Sequence, residues 1–116
     1  MKLHGIVNCD TVRKARAWLA ARAVPYAWVA FRKAPPSLED LARWCRAVGW
    51  ETLLNRRGTT WRSLDAAAKA AVVDERSAMA LMAARPTLIK RPVVEADGDV
   101  IVGFSADDYA TRFAKK

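Results

Sequence analysis

The residues with the clearest chemical potential are the two cysteines, which stand in unlike surroundings. Cys9 lies in the run Asn8-Cys9-Asp10-Thr11, directly after the short run of residues 3–7 and directly before a helical pattern. A thiol attacks as its thiolate, and an ordinary cysteine, with a pKa near about 8.5, is mostly protonated at neutral pH. The start of a helix favours the anion through unpaired N–H groups and the positive end of its dipole, an effect of roughly 0.3–2 kcal/mol. That is too little alone, so a cation such as Arg13, Lys14 or Arg91 has to supply the remainder, with Asp10 opposing it if its carboxylate faces the sulfur. Most free cysteines are small buried hydrophobes. A strand-to-helix turn is a poor place for one, so Cys9 reads as a nucleophile. Cys45 falls on the apolar face of a predicted helix and reads as core. His4, the sole histidine, sits on the first predicted strand, as a core residue or as lining of the Cys9 pocket. With two cysteines far apart in sequence it cannot complete a metal site, and no metal is expected.

The elements that must hold Cys9 follow from periodicity. Residues 3–7 read as a buried strand. Val12, Ala15, Trp18 or Leu19 and Ala23 then recur near the 3.6-residue period until Pro25 stops the helix. Residues 26–31 read as a second strand, giving a βαβ unit that favours a parallel pair with a right-handed crossover. After Pro35-Pro36, Ser37 is a good N-cap with Asp40 three residues on, in the manner of a capping box. The helix from Leu38 places Leu38, Leu41, Ala42, Cys45 and Val48 on its buried face and ends at Gly49. Residues 57–60 read as a turn, 63–73 as an alanine-rich helix and 78–84 as a further helix before Pro86. Residues 92–96, the turn Asp97-Gly98-Asp99 and residues 100–104 form a hairpin pattern. A last helix at about 106–113 leads into a loose basic tail. The order βαβ, helical insertion, ββα predicts an α/β thioredoxin-like fold with a four-stranded mixed sheet, one domain over 1–116 with the insert at about 37–85.

Composition narrows the classes. The chain has 116 residues, 53% of them hydrophobic, enough for one core. No stretch approaches the roughly 20 apolar residues of a membrane span, and the start turns polar too soon for a signal peptide. A cytoplasmic protein with reduced thiols and without membrane contact is expected. The balance of 20 Lys+Arg over 12 Asp+Glu gives a formal charge of +8, but the bases are scattered in runs no longer than pairs, down to Lys115-Lys116. They match no nucleic-acid signature, so direct nucleic-acid binding is not expected. The tryptophans Trp18, Trp28, Trp44, Trp50 and Trp61 read as packing residues rather than a base-stacking platform.

Three separated stretches carry a resemblance. Residues 5–15 (GIVNCDTVRKA), 53–62 (LLNRRGTTWR) and 88–93 (LIKRPV), in that order, resemble the ArsC/Spx family, most closely its YffB-type branch, over nearly the whole chain. The resemblance implies the thioredoxin-like fold with its helical insert and a single reactive cysteine after the first strand. It further implies that Arg91 faces Cys9 and that Pro92 is cis, exposing neighbouring backbone to a thiol-bearing substrate. The planar fork of Arg91 suits a thiolate, a carboxylate or an oxyanion.

The departures from that family also inform the reading. Of the arginines that surround the anion in its arsenate reductases, only Arg91 has a plain counterpart; Leu53 stands at one other position, with Arg57 out of register, and Gly103-Phe104 near another. The two-cysteine switch of Spx regulators is absent, the chain reading Cys9-Asp10-Thr11-Val12. A lone thiolate forms a mixed disulfide that a second thiol must release. The expected activity is therefore a glutathione-dependent thiol/disulfide reductase, with glutathione as co-substrate and no bound cofactor. Cys9 is the expected nucleophile and Arg91 its partner. Asn8 and Thr11 order the loop, Pro92 borders the substrate, and Arg57 is a candidate for a substrate anion. The alternatives are a Spx-like adaptor that binds RNA polymerase, or an arsenate reductase with an altered anion site. A monomer is expected.

Overall fold

The computed structural model describes residues 1–113; the expected basic tail lies outside the described residues. Two compact units make up the chain, the first from Met1–Ala34 with the chain from Arg91 onward, the second Pro35–Lys90.

The first unit holds β1 (Lys2–Gly5), α1 (Asp10–Ala21), β2 (Ala27–Ala30), β3 (Val93–Ala96), β4 (Asp99–Val102) and α7 (Ala106–Phe113). The strands form one sheet in the order β2-β1-β3-β4, β1 and β2 parallel and the other pairs antiparallel, which is the expected thioredoxin-like mixed sheet. Alternation along each strand sends Leu3, Val94 and Ile101 into one cluster with Val12, Ala15, Trp18 and Leu19 of α1 and Tyr109 and Phe113 of α7. Trp18 and Phe113 both pack on Tyr109, its ring edge-on to each at 5.6 and 5.5 Å. The buried Tyr109 hydroxyl donates to the Gly103 carbonyl at 3.1 Å. Gly5 is required by close approach: a Cβ there would sit 2.9 Å from the Val12 side chain.

Two strand expectations are corrected. The first strand stops at Gly5, and Val7 is 60% exposed, because Ile6 already begins the turn that returns its carbonyl to the Cys9 N–H at 3.3 Å. The hairpin turn is the two-residue Asp97-Gly98, with φ of 51° and 84°, the positive pair of a type I′ turn. Asp99 is thereby the first residue of β4, paired with Ala96.

The second unit is helical: α2 (Leu38–Val48), α3 (Trp50–Leu53), α4 (Thr59–Arg62), α5 (Ala66–Ala70), α6 (Glu75–Ala84) and a 3₁₀ turn at Pro86–Leu88. Ser37 and Asp40 form the expected reciprocal capping box, and Gly49 at φ 86° ends α2. Leu41 and Cys45 are buried as expected, while Leu38, in the first turn, is 60% exposed. The alanine-rich stretch 63–73 is not one helix. Asp65 caps α5 through the Ala68 N–H, and Asp74 caps a new helix that begins at Glu75, earlier than expected. Part of the expected turn at 57–60 is the helical turn α4. Leu54 bridges Ile89 in antiparallel sense, with the Asn55 N–H donating to Leu88 and the Lys90 N–H to Leu53, both at 2.8 Å.

Candidate functional site

Cys9 is the N-cap of α1, with extended backbone angles (φ −100°, ψ 125°), and its carbonyl accepts the Arg13 N–H at 2.9 Å. The sulfur makes no capping hydrogen bond of full geometry. The amides of Thr11 and Val12, in the positions an N-cap side chain serves, act on it instead as nearby dipoles. Burial pushes the Cys9 pKa up. The Val12 N–H, the Arg91 guanidinium through both hydrogen bond and charge, and the Thr11 N–H outweigh that burial and hold the thiol below its ordinary value.

The sheet register explains why Arg91 is there. Val93 pairs with His4 across the antiparallel β1/β3 ladder, so the residues just before β3 run beside the residues just after β1. Arg91 and Pro92 therefore enter β3 next to the loop that carries Cys9. The Arg91-Pro92 bond is cis, Pro92 is buried, and the Pro92 carbonyl accepts the Gly103 N–H at 2.9 Å. Of the cations considered for the thiolate, Arg13 is turned to the carboxylate of Asp10, with which it forms an exposed ion pair. That contact also engages Asp10, the acid that follows Cys9 in the chain.

The structure thus brings Cys9, Thr11, Arg91 and Pro92 together in the first unit, with Asn8 exposed in the same loop. Val12 joins them through its N–H, a contribution that the sequence signals only once Cys9 is recognised as the cap, because the third helical residue then faces it. Arg57 belongs to the second unit, exposed, its N–H donating to the Asn55 side chain at 3.0 Å. His4 is buried on β1, its Nε2 3.2 Å from a Glu95 carboxylate oxygen on β3, which resolves it as a paired interior residue of the sheet. Cys45 is buried on α2, and burial, with the charge of Glu75, pushes its pKa up. The two thiols are therefore shifted in opposite directions. Among the described residues no helix is long and apolar enough to cross a membrane, and no three His, Cys, Asp or Glu side chains gather as a metal site would need.

The strand order and helix placement define a thioredoxin-like protein. The chain belongs to the ArsC family, whose model matches residues 4–112. It is similar to the solved structure of a YFFB protein, with 48% identity, 95% of this chain and 96% of that one covered, and a TM-score of 0.91. The structure of an arsenate reductase (ArsC) related protein from Brucella melitensis is 42% identical, with coverage of 99% and 94% and a TM-score of 0.76. The global transcriptional regulator Spx of Listeria innocua is 25% identical over 91% of this chain and 81% of its own length.

Proposed function

We propose that this protein is a glutathione-dependent thiol/disulfide reductase of the cytoplasm, with Cys9 as nucleophile. The observation that carries the reading is a half-buried thiol held below its ordinary pKa by Arg91 and by the amides of Val12 and Thr11. The Cys9 thiolate attacks one sulfur of a substrate disulfide; the new S–S bond joins Cys9 to that half, and the other half leaves as a thiolate that takes a proton from solvent. A glutathione thiolate then attacks the Cys9 sulfur, releasing the bound half as a second thiol. A second glutathione attacks the glutathione sulfur, which forms glutathione disulfide and returns the Cys9 thiolate. One disulfide is reduced and two glutathiones are oxidised. Arg91 stabilises the anion at each stage and can take a carboxylate or oxyanion of the substrate. Pro92 walls the site, and Asn8 and Thr11 order the loop.

The test is reduction of hydroxyethyl disulfide coupled to glutathione oxidation. Cys9→Ser is expected to remove the activity and Arg91→Ala to slow it; an unchanged rate in Cys9→Ser overturns the proposal.

The likeness to Spx favours a second reading, an adaptor that binds RNA polymerase and acts by contact. Recovery of polymerase on the immobilised protein, undiminished by Cys9→Ser, would replace the reductase reading with this one. The name of the Brucella melitensis relative raises arsenate reduction with a rebuilt anion site, for which arsenate-dependent oxidation of glutathione is the measurement.

A further inference from the structure

On the first unit an open groove of about 620 Å3 runs along β2, lined by Gly5–Val7, Trp28–Ala30 and the turn Arg32–Ala34. Its walls are mostly apolar, and they include Val7, 60% exposed. Two exposed cations, Arg32 and Lys33, stand at one end. β2 is an edge strand, and its inner side is spent on β1: the Ala27 N–H donates to Met1 and the Phe31 N–H to Gly5, both at 2.9 Å. By strand alternation the N–H groups of Trp28 and Ala30 point outward. Among the described residues neither donates a hydrogen bond on that side, whereas the Ala30 carbonyl is taken by the N–H groups of Lys33 and Ala34 at 3.1 and 2.8 Å. Because β1 and β2 are parallel, the Cys9 loop and the Arg32-Lys33 turn lie off the same, carboxyl end of the sheet, the end at which open α/β sheets bind ligands. The groove wall Ile6-Val7 continues through Asn8 into Cys9.

We propose that this groove takes an extended, acidic-apolar peptide segment as an added strand on β2. The Trp28 and Ala30 edge pairs with its backbone, the apolar groove wall receives its apolar side chains, and Arg32 and Lys33 receive its carboxylates. The proposal rests on the thiol-exchange reading in one respect: it makes the preferred substrate a disulfide or glutathione adduct carried by an acidic protein segment rather than a small free disulfide. An edge strand with flanking lysines is also a common guard against strand pairing between copies, so the test must separate these uses.

Fluorescence anisotropy is measured on the full chain carrying Cys9→Ser, so that covalent capture plays no part. The probes are short fluorescein-labelled peptides of alternating valine and glutamate, the same with lysine for glutamate, and the glutamate peptide N-methylated at alternate backbone positions. Saturable binding of the glutamate peptide is expected, at least about tenfold tighter than the lysine peptide and lost on N-methylation. Arg32→Glu with Lys33→Glu, both exposed and checked for folding by circular dichroism, is expected to weaken it about as much. Absence of saturable binding overturns the proposal, as does equal binding of the N-methylated peptide, which would mean charge attraction only. Dimerisation in sedimentation that Val7→Glu abolishes overturns it in favour of a second copy of this chain. Each of these outcomes is independent of the hydroxyethyl disulfide assay, so failure of the groove and failure of the reductase reading are distinguishable.

Discussion

Arg91 and Cys9 lie far apart in sequence, yet the guanidinium, on the residue before the cis proline, helps hold the Cys9 thiol below its ordinary pKa. Neither residue is unusual alone. The antiparallel pairing of β3 with β1 creates the pair, because it sets the entrance of one strand beside the exit of the other.

Alkylation by iodoacetamide, followed by mass spectrometry across pH, should therefore report an apparent Cys9 pKa below the ordinary thiol value, rising in Arg91→Ala. A thiol whose folded pKa is depressed contributes stability that is fully present above its unfolded pKa and lost as pH falls through the folded value. The same variant should thus lose more stability at alkaline pH than at pH 6. Cys45, shifted upward by burial and Glu75, should stay unlabelled until urea unfolds the protein. Early labelling of Cys45, or a Cys9 pKa indifferent to Arg91, would contradict the site geometry.

Tyr109 ties α7 to the chain after β4 through its hydroxyl on Gly103, and burial pushes its pKa far above the ordinary value. Tyr109→Phe should cost about 1–3 kcal/mol, since it leaves the Gly103 carbonyl short of a partner, and Tyr109→Ala about 3–5 kcal/mol through the cavity. Because the folded protein keeps this phenol protonated, native stability should fall as pH climbs past about 10, where an unfolded tyrosine ionises. Urea midpoints at neutral and alkaline pH measure both effects.

The capping box of α2 offers a prediction in the second unit. Ser37 and Asp40 exchange hydrogen bonds at 3.0 Å in each direction. Burial raises the Asp40 pKa, but Arg43 and Ser37 outweigh it and hold it below the ordinary value. Ser37→Ala should destabilise by about 1 kcal/mol at neutral pH. A depressed carboxylate contributes above its unfolded pKa and loses that contribution as pH falls through the folded one. The difference in thermal midpoint between native protein and variant should therefore shrink toward pH 3. A constant difference would mean that the hydroxyl alone carries the cap.

Local signals in this sequence are strong where one short stretch decides the outcome. Gly49 at the end of α2, the Ser37-Asp40 box, a hairpin turn built on Gly98 and the placement of Cys9 between a strand and a helix are all legible, because each acts through a few neighbouring backbone groups; the first helix, by contrast, ends at Ala21, short of Pro25, with exposed Ala23 at φ 55° outside it. The same reasoning fails where two local signals compete. The alanines of 63–73 favour one helix, yet Asp65 and Asp74 each begin a new one, because a side chain that satisfies otherwise unpaired N–H groups sets where a helix starts.

What the sequence by itself determined is the order βαβ, helical insertion, ββα, the sheet's membership and the identity of the thiol at the strand-to-helix turn. Tertiary structure supplied the strand register that sets Arg91, already implied by the family resemblance, near that thiol, and it turned Arg13 to Asp10. It also decided that Leu38 and Val7 face outward despite their apolar character, and that His4 is held by Glu95. The physical reason is one and the same: charge, burial and hydrogen bonding depend on neighbours in space, and strand register, which sets those neighbours, is a property of pairs of segments rather than of either segment read alone.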